Sequence, residues 1–264
     1  MFKQLCNDLV GKITDYRVGE IPVPDAAHVE RWISQFDENK RIPILHEMIH
    51  ILSKVYLSRS TVMGFLQMIV QNSRLVGTDI ANFWNNVYVL DIQQGGTSQS
   101  TMKSLLSSVL QQYGVNLYNT NSNNGIYIYL DDVCFSGNRI KNDITIWLSQ
   151  GRSLTINKIM IITMANHSNG KWWAEKGINE KMQQLGLNFK IEWWTCYKLN
   201  NALSHPNESD LFMPMTLPTD PYVSEYVEYL KSVGYPPEKN LRKSLPNQPS
   251  PTIFSSEASR NFIE

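Results

Sequence analysis

The sequence predicts an α/β protein: a parallel sheet with helices on both faces, helices before it and an irregular arm after it. From residue 87 onward, short apolar runs bounded by polar loops alternate with stretches of helical period, the pattern of successive βαβ units. Before that point only the helical period is present, and beyond Cys196 regularity declines. The 264 residues can bury one sizeable core and an appendage. The expected organisation is a helical segment over 1–80, an α/β core over 81–199 and a C-terminal arm over 200–264.

The helical part follows an opening segment that ends in IPVPD. Val29, Trp32, Ile33 and Phe36 recur at i, i+3, i+4 and i+7, giving one apolar face to a helix that starts near Asp25. Pro43 suits the first turn of the next helix, whose apolar residues are Leu45, Met48, Ile49, Leu52 and Tyr56. Val62, Phe65, Leu66 and Ile69 mark a third. Strands are expected at 87–90 (VYVL), 115–118, 126–130 (IYIYL), 158–164 (KIMIITM) and 189–195 (FKIEWWT). Helices are expected at 102–110, 139–148 and 172–185. In such sheets ligands gather at the carboxyl ends of the strands, so Asp91, Asp131 and the residues after Met164 and Thr195 should surround one crevice. In the arm, 200–221 is turn-rich, 223–232 is compatible with a helix and 236–251 is a proline-rich linker or extended arm. The closing SSEASRNFIE reads as the first turns of a helix with a serine N-cap.

Composition narrows the function classes. Apolar content of 42% and aromatic content of 11% are those of a folded protein, and no apolar run approaches the roughly 18–20 residues that span a bilayer. The opening MFKQLCNDLVGKITDYR has polar breaks where a signal peptide needs a continuous apolar stretch, so the expected compartment is the cytoplasm. Lysine plus arginine equal aspartate plus glutamate at 24 each, which leaves no overall electrostatic footprint for autonomous nucleic-acid binding. Cys6, Cys134 and Cys196 are odd in number and far apart, which fits a reducing compartment. Seven tryptophans and ten methionines hint at a protein-binding surface, although buried core is their commoner use.

The segment 126–139, IYIYLDDVCFSGNR, carries the chemistry. An apolar strand ends in Asp131 and Asp132, and a short loop with Ser136 and Gly137 leads into a helix. Two carboxylates at a strand end can accept hydrogen bonds from the vicinal diol of a ribose. The loop amides and the Ser136 hydroxyl lie where the helix dipole and unsatisfied N–H groups favour a phosphate. Gly137 lets the backbone approach the anion. Paired acids alone would serve equally to cap a loop. The strand, the Ser-Gly turn and the following helix together favour a ribose 5-phosphate site.

This segment resembles the phosphoribosyl pyrophosphate motif of type I phosphoribosyltransferases, which is four apolar residues, two acids, a small apolar residue and a Thr/Ser-Gly phosphate loop. Asp131 and Asp132 match the acids, Val133 the next residue and Ser136-Gly137 the turn. Phe135 departs from the family's threonine, and Arg139 replaces a small hydroxyl residue. The resemblance implies a Rossmann-like parallel sheet of the phosphoribosyltransferase type, with Asp131 and Asp132 as catalytic residues. It implies binding of the phosphate by Phe135, Ser136, Gly137, Asn138 and Arg139. An earlier loop in that family contacts pyrophosphate. Here Gly95, Gly96, Thr97 and Ser98 stand in its chain position, and Asp91 before them is the implied Mg2+ ligand, oxygen being what hard cations prefer. The family's long closing loop is reduced to NTNSNN over 119–124, so a lid would come from elsewhere, and a non-catalytic nucleotide-sensing or scaffold module is the alternative.

HVERWISQF (28–36) and IFSSEASRNFIE (253–264) resemble a branch of this superfamily found in bacterial conflict systems, including effectors encoded beside retron reverse transcriptases. That likeness implies a toxic or regulatory role in antiphage defence, with a winged-helix protein or a reverse transcriptase complex as partner. A competing motif is His46-Glu47-Met48-Ile49-His50, a literal HExxH on a helix, which in zinc hydrolases binds the metal through both histidines. The apolar face of that helix leaves His46, Glu47 and His50 toward its polar side, so they are expected to be solvated. His167 is expected in a loop near the crevice, and Trp172 and Trp173 could stack on a base.

Overall fold

The computed structural model of the chain describes residues 1–117, 124–150, 155–201, 205–217, 219–245 and 252–263. It divides into two compact units, Arg59–Leu199, and Met1–Ser58 together with Asn200–Glu264.

The first of these units holds one sheet of four parallel strands in the order β1-β2-β3-β4: Tyr88–Val89, Ile126–Cys134, Lys158–His167 and Lys190–Leu199. Ile128, Leu130, Met160 and Ile162 on one face are excluded from water, as are Tyr127, Tyr129, Ile159 and Ile161 on the other. Burial on both faces is why these strands read as continuous apolar runs rather than alternating ones. Helices α8 (Asn138–Leu148) and α9 (Ser168–Gln184) pack on the tyrosine face, joined there by Ile140, Ile144, Trp147, Ala174 and Ile178. Helix α7 (Ser98–Leu110) packs on β2 and against α4 (Arg59–Gln71); the short α5 (Ser73–Val76) and α6 (Ile80–Asn85) follow α4 in the chain, α5 packing on α4 and α6 on α5.

Three sequence expectations change here. No strand forms at Val115–Leu117: the left-handed Gly114 closes a 3₁₀ turn over Gln111–Tyr113, and Val115 and Leu117 are buried without a ladder. An apolar alternation reports burial, and burial was met by a turn; the remaining Tyr118, like 119–123 of the NTNSNN connection, lies outside the described residues. Strands β2, β3 and β4 continue past their expected ends, because neighbouring backbones keep pairing where the side chains turn polar: Asp131 with Thr163, Val133 with Ala165, Cys134 with Asn166. Helix α9 begins at Ser168, directly after β3, so His167 is a buried strand residue and not a loop histidine.

In the other unit, α1 (Phe2–Val10), α2 (Ala26–Ile33) and α3 (Glu38–Val55) share a core of Leu5, Cys6, Leu9, Val29, Ile33, Ile44 and Leu45. Helix α1 occupies what reads in the sequence as an opening segment. Asp25 caps α2, its carboxylate accepting from the His28 N–H at 2.8 Å. Pro43 lies inside α3 rather than in its first turn; it is exposed, so water can serve the carbonyl its missing N–H leaves free. The arm contributes α10 (Pro221–Ser232) and α11 (Glu257–Ile263), the latter capped by Ser256, whose Oγ accepts from the Ser259 N–H at 3.0 Å. The stretch 236–251, expected as a linker or extended arm, is in part packed: Arg242 is buried and pairs with the buried Glu257 at 3.3 Å.

Glu47 is not solvated. It is 2% exposed, and its carboxylate accepts from the Ser255 N–H at 2.7 Å and from the Ser255 hydroxyl, tying the segment before α11 onto α3. His46 is exposed, and among the described residues no group of three or more histidine, cysteine or acidic side chains could hold a metal ion. Glu47 thus serves as an anchor, since a buried carboxylate needs donors and Ser255 supplies two. Glu47→Ala should lower unfolding free energy by about 1–3 kcal/mol, the cost of leaving buried donors unpaired. Glu47→Gln, which keeps one acceptor, should cost less; denaturant unfolding measures both.

Candidate functional site at the carboxyl ends of the strands

Strand β2 delivers its two acids to different surroundings. Successive strand residues point to opposite faces, so Asp131 lies on the Tyr129 side and Asp132 on the other. Asp131 is 1% exposed; one oxygen accepts from the Asp132 N–H at 2.9 Å and the other lies 3.3 Å from the Tyr129 hydroxyl. That hydroxyl is 2.8 Å from Asp143 on α8, which is also buried. One phenolic proton therefore stands between two buried carboxyl groups. Burial, and then the charge of Asp131, pushes the Tyr129 phenol far above its usual range, so it acts here as a donor. Asp132 is exposed, and its carboxylate accepts from the Val133 N–H at 2.6 Å. Its pKa is raised, first by desolvation and then by the neighbouring Asp131. The Asp143 pKa is raised by desolvation against the opposing pull of the Tyr129 hydroxyl, the Gln94 backbone N–H and Arg139.

The loop after β2 is pressed onto the start of α9. Gly137 has φ 79°, and a Cβ there would lie 2.0 Å from the Gly170 carbonyl oxygen. A Cβ on Gly170 would in turn lie 2.1 Å from the Phe135 carbonyl oxygen. Ser136 Oγ accepts from the Asn138 N–H at 3.3 Å at the first turn of α8. Phe135 is exposed and meets the buried His167 edge to face at 4.6 Å. The Cys134 thiol is pushed up to about 11 by burial and by Asp131, which removes it as a nucleophile near neutral pH.

The second loop joins the first through Arg139, whose Nη1 donates to the Gly95 carbonyl at 2.8 Å. Gly95 and Gly96 both have positive φ, 92° and 87°, a turn that only glycine makes without strain. Buried Gln99 accepts from the N–H groups of Ile92 at 2.8 Å and Gln93 at 3.0 Å. Gln93 replies by accepting from the Gln99 N–H at 3.1 Å and donating to Ser98 Oγ at 2.8 Å. Thr97 stands at the N-cap position of α7 without a side-chain cap bond. Asp91 is largely exposed, 3.8 Å from Lys103, and lines a cleft of about 280 Å³ with Gln94, Asp143, Tyr88 and Trp147.

The structure thus brings the Gly95–Ser98 loop, the Ser136–Arg139 turn and Asp131 into one bonded assembly. Asp132, exposed, adjoins it through its N–H, which donates to Asp131. Trp172 and Trp173 are exposed and T-shaped at 4.8 Å, with Lys176 over both rings. Sequence reasoning missed Tyr129, Gln93, Gln99 and Asp143. Two of these had a readable signal: Tyr129 shares a strand face with Asp131, and Asp143 sits one helical turn beyond Arg139.

The sequence model of the family described as PRTase-CE matches residues 29–258, most of the chain. The chain belongs to the PRTase-CE family. The match runs through both loops and both acids and supports a phosphoribosyltransferase-like domain, which is the fold that the parallel sheet and its flanking helices form. No curated protein and no solved structure matches the chain. No helix among the described residues is long and apolar enough to cross a membrane.

Two measurements test this PRTase-CE site. Gly137→Ala should destabilise the protein by at least about 1–3 kcal/mol, because the new methyl overlaps backbone that cannot swing away. The acids set a pH dependence. The folded values of Asp132 and Asp143 lie above the ordinary 3.8, so the stability they contribute is complete below 3.8 and is lost as pH rises through the raised values. Asp143→Asn removes part of that loss, so its melting temperature relative to the wild type should rise as the pH increases above about 4.

Proposed function

We propose that this PRTase-CE protein binds the ribose 5-phosphate part of phosphoribosyl pyrophosphate or of a nucleotide and acts at ribose C1. One observation carries the reading: two glycine turns, Gly95-Gly96 and Ser136-Gly137, are joined through Arg139 beside a pair of strand-end acids. Both turns open onto helices, α7 and α8, whose first N–H groups suit phosphate oxygens. Asp132, exposed at the strand end, is suited to the ribose hydroxyls. Asp131, held by Tyr129 and the backbone, supplies negative charge for a C1 that becomes electron-poor as its bond to the leaving group breaks. The electron pair of that bond leaves with pyrophosphate or the base, and an acceptor that loses a proton, water included, forms the new bond. Asp91 offers a largely exposed oxygen ligand beside the 3.8 Å ion pair with Lys103, which fits Mg2+; the metal when bound would neutralise phosphate charge.

The biological setting we propose is an effector of bacterial antiphage defence acting in the cytoplasm, held or released by a partner such as a winged-helix protein or a reverse transcriptase complex. The support for it is the likeness of residues 28–36 and 253–264 to that branch. A second reading, a nucleotide-sensing module without turnover, is favoured by the burial of Asp131, 1% exposed with both oxygens engaged.

Calorimetry with phosphoribosyl pyrophosphate and Mg2+, followed by mass spectrometry of the products, separates the two readings. Asp132→Asn should weaken binding about tenfold, the loss of one charge-assisted hydrogen bond. The double Asp131→Asn, Asp132→Asn variant should lose turnover and cellular toxicity. Full toxicity in that double variant would refute the catalytic reading.

A further inference from the structure

The two edges of the sheet differ. Strand β1 ends it on one side with only Tyr88–Val89, whereas β4 ends it on the other with ten residues, Lys190–Leu199. Short strands, prolines and bulges are the usual protection of an edge against pairing with another chain. Strand β4 has none of these: it keeps one constant offset from β3 along its length, and it contains no proline.

The backbone shows which groups this edge presents. The Lys190 N–H donates to the Asn157 carbonyl at 3.1 Å, toward β3. In a parallel ladder alternate residues bond to the same neighbour, so Glu192, Trp194, Cys196 and Lys198 also face β3. The backbone N–H and C=O groups of Ile191, Trp193, Thr195, Tyr197 and Leu199 then face outward. One of these carbonyls, that of Tyr197, accepts from the Thr195 hydroxyl at 3.2 Å, a side chain standing where a ladder N–H would. The Trp193 indole N–H is a buried donor without an acceptor among the described residues.

We propose that β4 pairs antiparallel with β4 of a second copy of this chain, about a two-fold axis at Thr195, so that two four-stranded sheets become one. Charge selects this partner and this register. A two-fold antiparallel pair must set outward residues against outward residues, so its axis passes through a residue and not between two. With the axis at Thr195, Glu192 lies opposite Lys198 of the second copy, Trp193 opposite Tyr197, and Ile191 opposite Leu199. The Tyr197 hydroxyl is thereby brought to the side of the strand that carries the Trp193 N–H. Glu192 already holds Lys158 at 2.8 Å, so its carboxylate is fixed before the second copy arrives. An axis at Trp194 would set Lys190 against Lys198, and like charges directly opposite destabilise. An axis at Cys196 would leave Lys198 opposite Trp194. Lysine guards a strand edge in general. Here the exposed Lys198 admits the register that brings Glu192 to meet it.

Sedimentation of the full chain over a concentration series should show a reversible dimer. Thr195→Pro removes an outward N–H and no bond to β3, so it should weaken the dimer about tenfold or more with the fold retained, which circular dichroism checks. Lys198→Glu, at an exposed position, should weaken it about tenfold by setting like charges opposite, and it decides the matter if Thr195→Pro fails to fold. Cross-linking of the wild type reads the register. Cys196 is exposed, whereas Cys6 and Cys134 are buried. From strand rise and spacing, the two Cys196 residues would stand about 8 Å apart on one face of the joined sheet. A bis-maleimide of that span should link Cys196 to Cys196, and Cys196→Ser should abolish the product. A monomer at every concentration would overturn the proposal and leave the edge to a strand of another protein. A dimer that Lys198→Glu leaves intact, or one that the reagent does not link through Cys196, would overturn it as well.

Discussion

The site depends on one close approach, the packing of Gly137 against Gly170. Added methyls at these positions would lie 2.0 and 2.1 Å from backbone oxygens, so neither residue has a substitute. This contact brings the turn that follows β2 onto the first turn of α9, and it sets where α8 starts. Everything bonded to α8 inherits that placement: Arg139 on the Gly95 carbonyl, Asp143 on Tyr129, Ile140 and Ile144 on the sheet. The connections after β2 and β3 both return through helices on the tyrosine face, α8 and α9, and only glycine lets them touch where they emerge.

The electrostatics follow from burial more than from net charge. A chain with 24 basic and 24 acidic side chains has no bulk field to steer a charged ligand. What it has are local arrangements, helix starts for anions and a trio of acids at and behind one strand end. Asp131 and Asp143 are buried, and each needs donors in compensation. Tyr129 and backbone N–H groups supply them, which explains why an otherwise apolar sheet face carries a tyrosine at that position.

The HExxH segment shows the opposite case, a motif without its chemistry. Its glutamate faces inward and is occupied by Ser255, some two hundred residues along the chain. Helical period does place Glu47 near the boundary between buried and exposed faces. The partner that decides the matter comes from the arm, and no local pattern links the two. Arg242 and Glu257 make the same point, since a proline-rich stretch hides a buried ion pair.

By itself the sequence determined the fold class, the main strands and helices of the sheet unit, and the Asp-Asp and Ser-Gly signature, because these follow from period and local chemistry. It also placed the Gly-Gly loop and Asp91 directly after the first strand, by their order along the chain. Tertiary structure decided what local pattern could not hold. Strand ends moved outward since a neighbouring ladder carries polar residues as readily as apolar ones. Val115 and Leu117 found burial in a turn rather than a strand. Asp131 and Asp132, adjacent in sequence and alike in chemistry, separated into a buried acid and an exposed one, because a strand turns neighbours to opposite faces and only one of those faces held Tyr129 and Asp143.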